Sequence, residues 1–404
     1  MTSADTTPQP VAAVAAGHIC LDVIPDLSQT TSEQFRLAFG PGRLMQVGAA
    51  AFSTGGAVSN VGLALHKLGI RTQLMGKVGD DLFGQAILRL IAARDPALAE
   101  GMVVDPAAST SYTVVINPPG VDRFFLHSPG ANDTFAAGDV RYDRIEAARL
   151  FHFGYPPLMR LMYIDEGAEL AAIFRRARAT GATTSLDTAY PDPVSDAGRA
   201  PWPAILAATL PYVDIFLPSI EETLFMLRRP TLVALTEQAS GGDILPLLTP
   251  DLLSDVAGEL LALGARVVGL KLGHRGFYLR TGGAEAIAGM GRATPSDPAT
   301  WADKELWAPC FCARLVGAAG SGDSTIAGFL AALLRGLSAE ETAIAAVAVG
   351  GCNVEAADTL SGLRTWDETM ARVAAGWQQH PLDLAAFGWE HDTNQQVWKP
   401  KTSR

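Results

Sequence analysis

Apolar positions along this chain recur with two periods, and the switches between them lay out its elements. Val11 to Cys20 is a short apolar run that predicts a first strand, and Leu44 to Ser53 reads as a strand region. Val58, Val61, Leu65 and Leu68 then fall on one helical face, closed by Gly69. Thr72 to Val78 predicts a strand, and Gly79-Asp80-Asp81-Leu82-Phe83-Gly84 turns into a helix over Gln85 to Ala93. Ser111 to Ile116 and Arg123 to His127 alternate apolar and polar residues around Asn117-Pro118-Pro119-Gly120-Val121-Asp122, which predicts a hairpin. Ala148 to Phe153, Thr183 to Asp187, Val213 to Leu217 and Val267 to Leu272 read as strands, with a helix at Ile164 to Thr180. Ile326, Phe329, Leu330, Leu333 and Leu334 mark a buried helix that stops at Gly336. Ala343 to Cys352 predicts a second buried helix, rich in alanine, and Thr365 to Ala375 a surface helix. Residues 1–10 are polar and read as a frayed end. Arg229 to Pro250 and Thr281 to Leu306 read as surface insertions, and no clear periodicity follows His380.

Strands alternating with helices predict a parallel sheet with right-handed crossovers and helices on both faces. The hairpin breaks that rhythm and reads as a lid standing off the sheet. The chain is 48% hydrophobic and 18% charged, which fits a globular protein rather than a disordered one. Its net charge of -11, without a Lys/Arg cluster, argues against a nucleic-acid partner. Cys20, Cys310, Cys312 and Cys352 match neither a zinc nor a disulfide spacing and read as reduced thiols of a cytoplasmic protein. No basic leader is evident, and Val11 to Cys20 is too short for a membrane span, so no membrane partner is expected.

Candidate chemistry centres on Leu315 to Gly336, LVGAAGSGDSTIAGFLAALLRG. A glycine-rich turn feeds a helix whose first N–H groups, at Ser321, Gly322 and Asp323, point outward where the macrodipole is positive. That is a site for a phosphate. A carboxylate beside it, Asp323, suits a base that takes a proton from an attacking hydroxyl. Asp22 is expected at the carboxyl end of the first strand, where it would accept hydrogen bonds from a diol. Gly55 and Gly56 let backbone approach a ligand at a helix start, and Asn60 offers a donor and an acceptor one turn on. Asp80 and Asp81 read as structural acids at a helix start. Glu221 and Glu222 open a helix beside a strand end, where a carboxylate would hold magnesium through water. Lys271 lies in a buried strand, which is costly unless its ammonium meets an anion.

Taken together, these pieces resemble the PfkB/ribokinase family of carbohydrate and nucleoside kinases over about residues 11 to 376. Two motifs carry the resemblance: Gly55-Gly56…Asn60 with Gly69 and Gly76-Lys77-Val78-Gly79-Asp80-Asp81…Phe83-Gly84, and Gly320-Ser321-Gly322-Asp323…Ala327-Gly328-Phe329. Gly17…Asp22, Ser128-Pro129-Gly130-Ala131-Asn132 and Lys271-Leu272-Gly273 resemble the family's substrate loop, post-lid loop and nucleotide-proximal strand. The resemblance implies a ribokinase-like three-layer α/β/α domain over residues 11–376, with a mostly parallel central sheet. It implies a small β lid from about 23–53 and 109–128, leaving 377–404 as a tail. It implies ATP and Mg2+ as cofactors and transfer of phosphate to a hydroxyl of a small sugar. Asp323 is then the base, with Gly320, Ser321 and Gly322 as the anion hole. Asp22, Gly55, Gly56, Asn60 and Asn132 bind the substrate. Lys271, Gly273, Gly276 and Asn353 line the nucleotide, and Glu222 serves the metal. An exposed lid edge would allow a homodimer. The family usually has Asn at the position of Ser219 and Asp-Thr-Thr at Gly317-Ala318-Ala319. A nucleoside kinase of the same fold and a non-catalytic sugar- or nucleotide-binding homologue remain alternatives. A Rossmann dehydrogenase does not fit, because no G-x-G-x-x-G follows the first strand.

Overall fold

The structure is a computed structural model that describes residues 11–38, 40–118 and 124–401. The expected frayed end at 1–10, most of the hairpin turn and Arg123 lie outside the described residues.

The strands, in chain order, are β1 (Ala13–Gly17), β2 (Cys20–Ile24), β3 (Ala51–Gly55), β4 (Thr72–Met75), β5 (Lys77–Gly79), β6 (Val103–Asp105), β7 (Tyr112–Ile116), β8 (Phe124–Ser128), β9 (Leu150–Gly154) and β10 (Thr183–Leu186). They continue with β11 (Ile215–Phe216), β12 (Val267–Lys271), β13 (Phe277–Thr281), β14 (Glu305–Ala308), β15 (Trp389–Asp392) and β16 (Val397–Pro400). The main sheet runs β15-β16-β14-β13-β12-β11-β10-β9-β1-β4. From β4 to β12 its pairs are parallel, and from β12 to β15 they are antiparallel. A second sheet, β3-β2-β7-β8, stands apart as the lid, and β5 and β6 form a short parallel pair.

Alternation along each strand divides the core between the faces of the main sheet. Val14, Phe151, Phe153, Val268 and Leu270 pack on one face with the helix Ala168–Ala179. Ala13, Leu150, Ile215, Val267 and Leu279 pack on the other, under the helices Ser321–Leu334 and Ala339–Asn353. The helix Ser321–Leu334 is wedged between Ala339–Asn353 and Ala57–Lys67. Its position is therefore set by packing along its length.

Several expectations change. Val11 to Cys20 is not one strand: β1 ends at Gly17, and β2 begins a different sheet. Gly17 has a φ of 118° and lies so close to Gly154 that a Cβ would sit 2.3 Å from the Gly154 carbonyl oxygen. Asp22 accordingly lies within a lid strand, not at the carboxyl end of the first strand of the main sheet. Thr72 to Val78 is likewise split at Gly76 between β4 and β5. Of Leu44 to Ser53, only Ala51 onward is strand. The segment Arg229 to Pro250 contains the helix Arg229–Gln238. The chain after His380 folds as the hairpin β15–β16 at the edge of the main sheet, where Trp398 pairs with Trp307. Asp81 caps the helix Leu82–Ala92, accepting from the Gly84 N–H, and its other oxygen accepts from the Thr110 N–H.

Candidate active site

The carboxyl ends of the parallel strands converge on one patch, the edge that carries ligands in open α/β sheets. His18 follows β1, Tyr155 follows β9, Asp187 and Thr188 follow β10, Ser219 follows β11, and Lys271 ends β12. The start of the helix Ser321–Leu334 faces them.

Asp323 lies in the first turn of that helix and is 4% exposed. Asn60 Nδ2 donates to its Oδ2 at 2.9 Å, and the Tyr155 hydroxyl reaches both carboxylate oxygens at 2.8 Å. Burial raises the Asp323 pKa above the carboxylate norm, although Tyr155, Lys271 and Asn60 oppose that rise. Gly320 caps the helix with a φ of 69°, a left-handed conformation that favours glycine. The N–H of Ser321 is not free as expected, because it donates to Ala318 O at 3.3 Å. Those of Gly322 and Asp323 have no backbone acceptor among the described residues. Gly322 lies beside Lys271, whose Cδ would be 3.5 Å from an added Cβ.

The anion expected for Lys271 is inside the protein. Its ammonium donates to Asp187 Oδ1 at 2.5 Å and to Leu217 O at 2.7 Å. Burial disfavours that ammonium, but Asp187, Glu222 and Asp323 outweigh it and hold the Lys271 pKa above its usual value. Asp187 is 1% exposed and is pushed upward, chiefly by burial, with Lys271 opposing. Glu222 and Ser219 form a capping box: the Glu222 N–H donates to Ser219 Oγ at 3.2 Å, and the Ser219 N–H donates to Glu222 Oε2 at 2.9 Å. Thr188 also donates to Oε2, at 2.8 Å. Glu222 Oε1 has no hydrogen bond among the described residues. Three carboxylates thus surround one ammonium, an excess of negative charge that fits a hydrated divalent cation.

On the lid side, Asp22 Oδ2 would be 2.4 Å from a Cβ on Gly55, so Gly55 gives the carboxylate its room. Burial pushes the Asp22 pKa up to about 6, against the hydrogen bonds of Cys20 and Thr113. Gly56, at a φ of 86°, starts the helix Ala57–Lys67 against His18, whose Nδ1 would be 2.5 Å from an added Cβ. Asn132 is fully buried and clamps a neighbouring loop: Nδ2 donates to Ile19 O at 2.9 Å, and Oδ1 accepts from the Ile19 N–H at 3.1 Å. Gly273 and Gly276 form the turn between β12 and β13, beyond Lys271. Asn353 ends its helix fully buried and donates to Thr359 O at 2.8 Å.

The geometry brings Asn60, Asp323, Lys271 and Glu222 into one electrostatic group, with Asp22, Gly55 and Gly56 on the lid side. Tyr155, Asp187, Thr188 and His18 were not among the site residues expected from the sequence. Asp187 was legible, because it closes a predicted strand. Tyr155 carries no pattern signal; it stands out by its left-handed backbone, φ 65°, uncommon for a bulky residue and frequent at functional sites.

A family model described as pfkB family carbohydrate kinase matches residues 14–366. Among curated proteins, Fructokinase-2 of Oryza sativa subsp. japonica is 28% identical over 199 residues, 48% of this chain and 54% of that protein. Probable fructokinase-4 of Arabidopsis thaliana is 32% identical over 143 residues, 35% of this chain and 40% of that protein. The chain thus matches about half or less of the length of these relatives. Among solved structures, Arabidopsis thaliana ribokinase complexed with ribose and ATP has a TM-score of 0.64 at 17% identity, over 90% of this chain and 98% of that one. A putative ribokinase II from E. coli, in complex with ATP and Mg2+, has a TM-score of 0.65 at 17% identity, over 90% and 99%. These likenesses are of fold: a mixed, mainly parallel sheet between helical layers with a small β lid. With the family match spanning most of its length, the chain belongs to the pfkB family of carbohydrate kinases.

Proposed function

We propose that this protein transfers the terminal phosphoryl group of ATP to a hydroxyl of a small sugar. One observation carries the reading: a buried carboxylate, Asp323, in the first turn of a helix, beside the N–H groups of Gly322 and Asp323, which have no backbone acceptor among the described residues.

The sugar is held by Asp22, Gly55, Gly56 and Asn60, with Asn132 keeping the adjoining Ile19 loop in place. Asp323 takes the proton of the attacking hydroxyl, and Tyr155 and Asn60 fix the orientation of its carboxylate. Gly320, Ser321 and Gly322 form the turn at the phosphoryl group, where charge spreads over the equatorial oxygens as the bond to the leaving oxygen loosens. Lys271, Gly273, Gly276 and Asn353 border the nucleotide. Glu222 would hold Mg2+ through water, and the ion would neutralise phosphate charge. Ser219 in place of the family's usual Asn keeps the helix capped, since both residue types are good caps. The lid exposes Phe52, Phe125 and Leu126, and we place a homodimer contact there.

Formation of ADP, measured across a panel of ketoses, aldoses and nucleosides, tests the reading. Sugar-dependent ADP formation is expected. Turnover with nucleosides alone would move the substrate class, and saturable binding with no ADP would leave a binding protein. Asp22→Ala is expected to raise the sugar KM at least about tenfold through loss of charge-assisted hydrogen bonds, with the ATP KM unchanged. An equal rise in both would make Asp22 structural.

A further inference from the structure

Beside Asp22 lies a second cluster that phosphoryl transfer does not use. His18 follows β1 in the body, Cys20 opens β2, and His127 lies in β8, so the group joins the body to the lid. One donor atom from each lies within 4.8 Å of the others, and among the described residues no other group of three His, Cys or acidic side chains is arranged in this way.

The two Nε2 atoms of His18 and His127 face each other at 3.4 Å. That is long for a direct hydrogen bond, which favours about 2.7–3.2 Å. It matches the separation of two imidazole nitrogens on a tetrahedral ion, about 3.3–3.4 Å for metal–nitrogen bonds of about 2.0–2.1 Å. The far side of His127 is oriented as a ligand's would be. Its Nδ1 is 3.0 Å from Thr113 Oγ1, and the Thr113 hydroxyl donates to Cys20 Sγ at 3.5 Å. With that one hydroxyl proton turned to Cys20 Sγ or to Asp22, the Thr113 oxygen accepts from His127 Nδ1, which presents the lone pair of Nε2 towards His18. Cys20 Sγ in turn points its proton at Asp22 Oδ1, 3.5 Å away.

We propose that His18 Nε2, His127 Nε2 and Cys20 Sγ bind one zinc-class cation. Two imidazoles and a thiolate select Zn2+ over Mg2+, which takes oxygen donors, so this site is separate from the ion assigned to Glu222. Binding removes one proton from Cys20 Sγ, which passes through Asp22 to solvent. Three protein donors leave the fourth tetrahedral position to a water or to an oxygen of a bound ligand. The ion would clasp β8 to the loop after β1.

The test uses the full chain, stripped with a chelator and titrated with Co2+ and Zn2+ in the absence of sugar and nucleotide, so that its outcome is independent of the kinase reading. The expected result is about one equivalent of Co2+ with the intense absorption of a tetrahedral site and a thiolate-to-cobalt charge-transfer band. Cys20→Ser is expected to lose that band. His127→Ala, a change on a lid strand, is expected to weaken Zn2+ binding at least about tenfold against a chromophoric chelator. Weak octahedral absorption, or a charge-transfer band that survives Cys20→Ser, would overturn the proposal.

Discussion

Asp323→Asn is expected to lower kcat by about 10²–10⁴-fold, the usual worth of a positioned general base, while sugar and ATP still bind. The substitution preserves shape, and the site can satisfy it. The Tyr155 hydroxyl can donate to the new amide oxygen as it does to the carboxylate. Asn60 Oδ1 has no partner among the described residues, so a flip of the Asn60 amide lets that oxygen accept from the new NH2 group. What disappears is the lone acceptor for the hydroxyl proton. Steady-state kinetics, with calorimetric binding of sugar to the variant, separates the two effects. Burial also raises the Asp323 pKa, so the acid limb of kcat/KM in the wild type should lie above the ordinary carboxylate range of about 3.9. That limb reports protonation of Asp323 together with Asp22, whose pKa burial pushes up to about 6: activity is present above it and is lost as pH falls through it.

The second large effect is on stability. Lys271→Met removes the ammonium that, among the described residues, faces Asp187, Glu222 and Asp323, and leaves Asp187 buried without its counter-charge. Breaking a buried pair from one side costs about 3–5 kcal/mol, because the remaining charge stays desolvated. Chemical denaturation measures this loss. A paired Asp187→Leu, Lys271→Met variant should recover much of it, since neither charge is then left alone. A single variant within about 0.5 kcal/mol of wild type would show that Asp187 is already neutral in the folded protein, since surface-like effects are of that size. Catalysis would fall in either variant, which separates the structural part of the Lys271 role from its part in the site's electrostatics.

The central strands were legible because strands buried on both faces read as short continuous apolar runs, and the helix at Ser321 because its buried residues run unbroken from Ile326 to Leu334. The turn at Gly320 was legible as a helix start, since small residues precede one acid there; alone, that pattern suits a structural first-turn acid as well as a phosphate site. Asp22 was found as a candidate but misplaced, because the change of sheet at Gly17 depends on contact with Gly154, 137 positions away in sequence. Lys271 was recognised as a buried cation in need of an anion, but Asp187 was not seen as that anion, since only the fold sets β10 two strands from β12. Glu222 was read towards magnesium, and the same four residues, Ser219 to Glu222, also spell a capping box. Tyr155 was missed altogether. Its hydroxyl meets Asp323 from 168 residues away, and nothing local in Gly154-Tyr155-Pro156 announces that contact. The hairpin β15–β16 was missed because Trp389, Val397 and Trp398 are too few to show a period.

The most direct measurement is a crystal structure of the full chain with its preferred sugar and a non-hydrolysable ATP analogue. One sugar hydroxyl is expected within about 2.6–3.2 Å of an Asp323 carboxylate oxygen, on a line with the terminal phosphorus, with the N–H groups of Gly322 and Asp323 pointing at the phosphate. A sugar seated against Asp22 with every hydroxyl turned away from Asp323, or phosphates bound away from the turn at Gly320, would contradict that arrangement.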